Sequence, residues 1–196
     1  MASPPSGSSL RSRILAATLA CAEVKGLSGF ALEDVAAKAG VARASIYRHF
    51  PGGRAQLIED TIAWEVARFW AQLVEAVADA EDLAGVLERG LSEAHRAIEG
   101  HDLLQRLLAN EPGELLSSLL ASEPVLHDVV RDHLRPLLDH EELAAGVDVD
   151  DAADYLARMF ETCMSSPGRW DLDDAEQVRR LVATEFLAGV LAPDEA

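Results

Sequence analysis

The sequence predicts an all-α protein: an N-terminal three-helix module of the helix-turn-helix type, followed by a larger helical domain. Three observations carry that prediction. Ala, Leu, Glu, Asp and Arg dominate, while aromatic residues make up only 5%; these are mostly good helix formers, and the residues that pack strands are few. Apolar residues recur at helical spacing along most of the chain, and no alternating strand pattern emerges. Near the N-terminus three short helical segments are joined by turns of only a few residues, which makes a compact module of about fifty residues.

Taken in order, residues 1–8 (MASPPSGS) are rich in Pro, Ser and Gly and read as a loose tail. Ser9 is placed to cap a helix running to about Lys25, with Gly26 as its stop. Phe30 to Ala39 reads as a second helix ending at Gly40, and Val41 to Phe50 as a third ending at Pro51-Gly52-Gly53. The first domain is accordingly set at residues 9–53 and the second at 54–196. A long helix is expected from about Arg54 to Val77, with Ile58, Ile62, Val66, Phe69 and Leu73 as its apolar stripe. Further helices are expected near 82–99, 101–109, 112–121 and 124–139, with Pro112 and Pro124 suited to first-turn positions. An acidic loop over 140–150 precedes two final helices at about 149–165 and 173–191.

The formal net charge of −17 argues against a nucleic-acid binder if taken as one number. Its distribution argues the other way. Residues 1–60 carry seven basic and five acidic residues, a net of +2, and the remainder carries −19. A chain of this kind can approach phosphates with one end only. Hydrophobic residues at 49% and charged residues at 26% indicate a globular chain. Arg11 and Arg13 ahead of the apolar run Ile14–Ala22 imitate a short signal peptide, but the run breaks into charge at Glu23 and Lys25. A cytoplasmic location is expected. Cys21 and Cys163 each sit in an apolar helical pattern and read as buried, reduced thiols.

The run from Leu32 to Phe50 carries the most chemistry. A helix-turn-helix needs a small residue where its two helices cross, and Ala36 is small. Its turn needs a residue free to take positive φ, and Gly40 is one. Val35, Val41 and Ile46 are spaced to pin both helices to a core. The outer face of the third helix then presents Arg43, Ser45, Tyr47, Arg48 and His49, donors suited to phosphates and base edges in a major groove.

The residues Ile14-Leu15, Ala16-Ala17, Gly26, Val35-Ala36, Ala39-Gly40-Val41 and Ser45-Ile46-Tyr47-Arg48-His49-Phe50 resemble the tetracycline-repressor (TetR) family of bacterial regulators. The likeness covers roughly residues 10–60. It implies that Arg43, Ala44 and Ser45 face bases and nearby phosphates, that Tyr47 and His49 contact the DNA backbone, and that Arg48 reaches either. Arg54 takes the place of the lysine usual at the start of the fourth helix, after a one-residue lengthening at Gly52-Gly53. Two positions depart from the pattern: Ala31 stands for the usual threonine before the second helix and Ala42 for the usual serine before the third. The first removes a cap and a phosphate contact, both weaken the electrostatic footprint, and binding of ordinary strength is expected.

The resemblance further implies a homodimer reading a palindromic duplex, most often as a repressor, with the last two helices of each copy pairing into a four-helix bundle. Leu156, Met159, Phe160 and Cys163 form one stripe there, and Val178, Leu181, Val182, Phe186 and Val190 another; each serves equally well as internal core. It also implies a small-molecule effector site among the middle helices, for which Trp64, Trp70, Met159, Phe160, Met164 and Trp170 are candidate lining residues. Plain core packing explains each of them singly as well. The acidic surplus is compatible with a cationic or polar effector, although most of that charge should face water. His95, His101, His127, His133 and His140 show no metal-ligand spacing, so neither metal nor cofactor is expected. An enzyme built on a helical bundle is the rival from another class, and no spacing nominates its nucleophile or carboxylate pair. A helical protein-interaction module that no longer reads DNA is the third reading.

Overall fold

The computed structural model describes residues 9–193, apart from the side chains at 114, 117, 118 and 120–126; the expected tail at 1–8 lies outside the described residues. Nine α-helices are formed within that span: α1 Leu10–Gly29, α2 Leu32–Ala39, α3 Arg43–His49, α4 Gly53–Val77, α5 Leu83–Glu99, α6 Asp102–Asn110, α7 Pro112–Leu138, α8 Val149–Ser165 and α9 Ala175–Leu181. Among the described residues no strand forms, and no helix is long and apolar enough to cross a membrane. The helices divide into two compact units. One takes in residues 9–68 with Asp102–Ser122, the other Phe69–His101 with residues 123–193.

In the first unit α1 buries Ile14, Leu15, Ala17, Cys21 and Ala22, and its N-terminus is capped by Ser9, which accepts the Ser12 N–H at 3.1 Å. The helix breaks at Gly26, where φ is +76°, and then makes one further turn to Gly29. α2 ends in a Schellman turn. Gly40 takes the left-handed conformation, its N–H donates to Ala37 O, and the Val41 N–H donates to Ala36 O at 3.0 Å. A side chain at Gly40 would strain that conformation. Val35, Ile46, Phe50 and Leu57 are fully buried and join one core with Leu103 and Leu107 of α6 and Leu115 of α7. Two buried hydroxyls, Thr18 and Thr61, are satisfied by the carbonyls one turn earlier, at 2.9 and 2.7 Å.

In the second unit α5 packs on α8 and α9. Its core is built from Leu83, Leu87, Leu91, Ala153, Leu156, Leu181 and Phe186, all buried. Asp148 caps α8 by accepting the N–H groups of Asp150 and Asp151, and Asp174 caps α9 in the same way. Part of the acidic surplus is thereby used where it favours helix N-termini.

Two expectations about elements are corrected. The segments expected at 112–121 and 124–139 are one helix, α7, and Pro124 falls inside it. An internal proline removes a helical hydrogen bond at a cost of about 3 kcal/mol; buried Val130, Leu134 and Leu138 hold the helix beyond it. The last helix, expected to run to 191, stops at Leu181. A π turn follows over Val182–Phe186, closed by the Leu187 N–H on Val182 O at 2.9 Å, and Gly189 at φ +83° turns the chain. The segment then pairs with the loop before α8 through Ala144 N–H to Val190 O and Ala192 N–H to Glu142 O, at 2.9 and 2.8 Å.

Cys21 and Cys163 lie in different units and are both buried, and burial pushes both thiols up. Both therefore stay protonated at neutral pH. Alkylation of either is expected to be at least about tenfold slower in the native than in the denatured protein. Rapid labelling of the native protein would show that one of these helices is not packed as described.

Candidate nucleic-acid interface

The outer surface of α3 is formed because its inner surface is anchored. Ile46 and Phe50, four apart, are both fully buried, and the Phe50 N–H closes the helix on Ile46 O at 2.8 Å. At helical spacing this turns positions 43, 44, 47 and 48 outward. Arg43, Ala44, Tyr47, Arg48 and His49 are exposed and Ser45 is half-buried. Six of the seven sequence-nominated residues thus share one short helix. Within it Arg43 donates to the Tyr47 hydroxyl at 3.1 Å, and Arg48 donates to Ser45 Oγ at 2.9 Å.

Arg54, the seventh, sits differently. Its guanidinium donates to Phe30 O at 3.2 Å and to Leu27 O, and lies 5.0 Å from the centre of the Phe30 ring. The side chain therefore ties the start of α4 to the corner between α1 and α2. Ala31 and Ala42 both stand at helix N-caps, and the two ends differ. Ala31 offers no side-chain oxygen, yet the Asp34 carboxylate reaches back to accept the Ala31 N–H at 2.8 Å, so half of a capping box survives. Ala42 has no such substitute. The Ala31 N–H and the Lys25 ammonium, 2.8 Å away, hold the Asp34 carboxyl below its usual range.

Several partners of this region were not nominated by the sequence. Arg13 donates to Ala39 O at 2.8 Å, tying α1 to the end of α2. Glu111, between α6 and α7, accepts the N–H groups of Leu27 and Ser28 at 3.1 and 2.7 Å, just past the Gly26 break. Arg106 donates to Glu23 O at 2.9 Å. These contacts span up to 84 residues, and no local pattern announces them.

The second unit contains a cavity of about 40 Å³. Its walls come from Trp70, Leu73, Val74 and Val77 of α4, Val86, Leu87 and Gly90 of α5, Val129, Val130, His133 and Leu134 of α7, and Phe160 of α8. Of the six nominated lining residues, Trp70 and Phe160 are there, with ring centres 6.0 Å apart. Gly90 matters locally, because a Cβ at that position would come within 3.1 Å of the Phe160 ring. The other four are elsewhere. Trp64 lies in the first unit under the Arg68 guanidinium, and the Trp170 indole N–H donates to Glu185 at 2.9 Å. Met159 and Met164 are half-buried outside the cavity wall. The lining carries no carboxylate, and its one titratable group, His133, is pushed down by burial and hence neutral at pH 7.

The nominated partner-facing stripes are also revised. Leu156, Cys163, Val178, Leu181, Val182, Phe186 and Val190 are all buried within the single chain. Periodicity identified an apolar face correctly, and that face is covered from inside. The exposed side of α8 carries Tyr155, Arg158 and Thr162 instead. Of the histidines, His127 has its ring nitrogens on opposite sides, 2.9 Å from Asp154 and 3.2 Å from Glu161, so they cannot converge on one ion.

No protein of curated function matches the sequence significantly. A model for bacterial regulatory proteins of the tetR family matches residues 14–61, which hold all of α2 and α3. Among solved structures, a candidate TetR-family transcriptional regulator from Mesorhizobium loti superposes with a TM-score of 0.63 at 18% identity, covering 93% of this chain and 97% of that one. The TetR-family repressor QsdR from R. erythropolis gives 0.61 at 19% identity, over 95% and 98%. Thermus thermophilus FadR, a TetR-family transcriptional repressor solved in complex with lauroyl-CoA, gives 0.54 at 20% identity, over 94% and 97%. Residues 14–61 thus match the tetR family of bacterial regulatory proteins, and the chain shares the fold of these solved structures.

Proposed function

We propose that the protein is a DNA-binding transcriptional repressor that reads a palindromic operator as a homodimer and responds to a small molecule. The observation that carries the reading is the face of α3, with two arginines, a tyrosine and a histidine exposed above a buried Ile46–Phe50 anchor. A rigid helix with long donors at its N-terminal end fits a major groove. Arg43, Ala44 and Ser45 take the roles facing bases and nearby phosphates, Tyr47 and His49 the backbone-facing ones, and Arg48 reaches either. Arg54 serves the interface by fixing the corner beneath it. In this reading residues 9–53 carry the DNA-reading helices and residues 54–196 bind effector and partner, although residues 54–68 and 102–122 pack with the first compact unit.

A single α3 covers half a palindrome, and a two-fold dimer supplies the other half. The exposed side of α8, with Tyr155, Arg158 and Thr162, is the surface proposed for the partner. The apolar lining of the second-unit cavity supports an effector with an apolar portion, and neutral His133 offers it one hydrogen bond. An effector acts here only by binding the DNA-competent and DNA-incompetent states unequally.

Selection of bound sequences from a random duplex library tests the reading. Wild-type protein is expected to enrich a palindrome, and an Arg43→Ala, Tyr47→Ala variant to enrich none. Failure of the wild type to enrich any sequence at low salt, with sedimentation showing a folded dimer, would sink it.

A further inference from the structure

The two arginines of α3 are not equivalent. Arg43 is ion-paired with Glu33 of the first turn of α2, while it also donates to the Tyr47 hydroxyl and lies 5.5 Å from the centre of the Tyr47 ring. Both members of the pair are more than half exposed, at 55% and 58%. The Tyr47 hydroxyl and the Glu33 charge both push the Arg43 guanidinium toward its charged form. Arg48 bonds only Ser45 Oγ in this way, and among the described residues it forms no ion pair. One cation of the face therefore meets DNA with its charge already neutralised, and the other meets it free.

We propose that Glu33 sets the affinity of the DNA interface by competing with DNA for Arg43, holding that side chain against Tyr47 until a phosphate or base edge displaces the carboxylate. The inference rests on the DNA-reading function proposed above. Its physics is an exchange of anions. An exposed ion pair is weak and easily exchanged, so Glu33 lowers affinity without blocking binding. An arginine that swaps a carboxylate for a phosphate adds little net counterion release. A free arginine adds about one neutralised phosphate, which steepens the dependence of log K on log salt by about 0.9.

The test is titration of a fluorescent duplex of the selected sequence with four full-length proteins at several salt concentrations. They are wild type, Glu33→Gln, Arg43→Ala and the double variant; Glu59→Gln, an exposed carboxylate of α4, serves as charge control. Glu33→Gln is expected to bind about two- to fivefold tighter at low salt, with a slope steeper by about 0.9. In the Arg43→Ala background the same substitution should have almost no effect, since the coupling is between these two residues. Equal tightening with and without Arg43, or tightening no greater than for Glu59→Gln, would make Glu33 a general repellent and overturn the proposal. Weaker binding by Glu33→Gln would overturn it too, by making the carboxylate a support for Arg43. If wild-type selection recovers no operator, the DNA-reading function falls and this proposal with it. A recovered operator with no Arg43-dependent gain removes this proposal alone.

Discussion

Phe50→Ala is expected to destabilise the protein by about 3–5 kcal/mol, the range for deleting a fully buried aromatic side chain. Phe50 is 0% exposed and follows directly on α3, with the Arg11 guanidinium 5.3 Å from its ring centre. A domain has about 5–15 kcal/mol in all, so the loss would take a large share of it. Phe50→Leu, which keeps most of the volume, should cost about 1.5 kcal/mol or less. Urea unfolding followed by circular dichroism distinguishes these magnitudes. Because Ile46 and Phe50 are the inner anchors of α3, operator binding should weaken in parallel with stability. A Phe50→Ala variant within about 1 kcal/mol of wild type would mean that α3 is not held by its inner face.

The second large effect concerns Glu111. Its carboxylate accepts the Leu27 and Ser28 N–H groups just past the break at Gly26, where the chain has φ +76°. Hydrogen bonds to a charged acceptor contribute about 1.5–3 kcal/mol, more than neutral ones, and their removal leaves donors behind. Glu111→Ala is therefore expected to lower stability by about 2 kcal/mol, and Glu111→Gln by less. Gly26→Ala should disrupt the same contact, since an added Cβ would meet Glu111 Oε1 and would also strain the backbone. The two substitutions should be clearly less than additive, because each removes one shared interaction.

The same carboxylate gives a pH dependence of definite sign. The Ser28 hydroxyl, then the Ser28 and Leu27 N–H groups and the nearby Arg54 charge, hold Glu111 below its ordinary value of 4.5 against the opposing effect of burial. A group with a depressed folded pKa contributes stability that is fully present above its unfolded pKa and is lost as pH falls through the folded one. The stability difference between wild type and Glu111→Ala should hence be constant from about pH 5 to 8 and shrink below about pH 4.5. A difference that stays constant into acid would show that the carboxylate is not the acceptor.

Local rules determined much of this protein from its sequence. Gly40 had to turn because only glycine takes that conformation cheaply, Val35 and Ile46 had to face inward because they are the apolar positions of their helices, and Arg43, Tyr47 and Arg48 followed on the opposite side. The all-helical class came from composition and period alone. Periodicity, however, says that a face is apolar and not what covers it. Leu156, Val178 and Phe186 marked an apolar stripe, and only packing decided that the chain's own helices cover it. Trp64 and Trp70 are six residues apart on α4, and packing put one in each unit, so only Trp70 reaches the cavity. The continuous α7 and the π turn after Leu181 depend on contacts that override a proline and a helical pattern. Glu33 against Arg43 and Glu111 against Leu27 join residues 10 and 84 positions apart, and such pairs exist only once the chain has closed around its core.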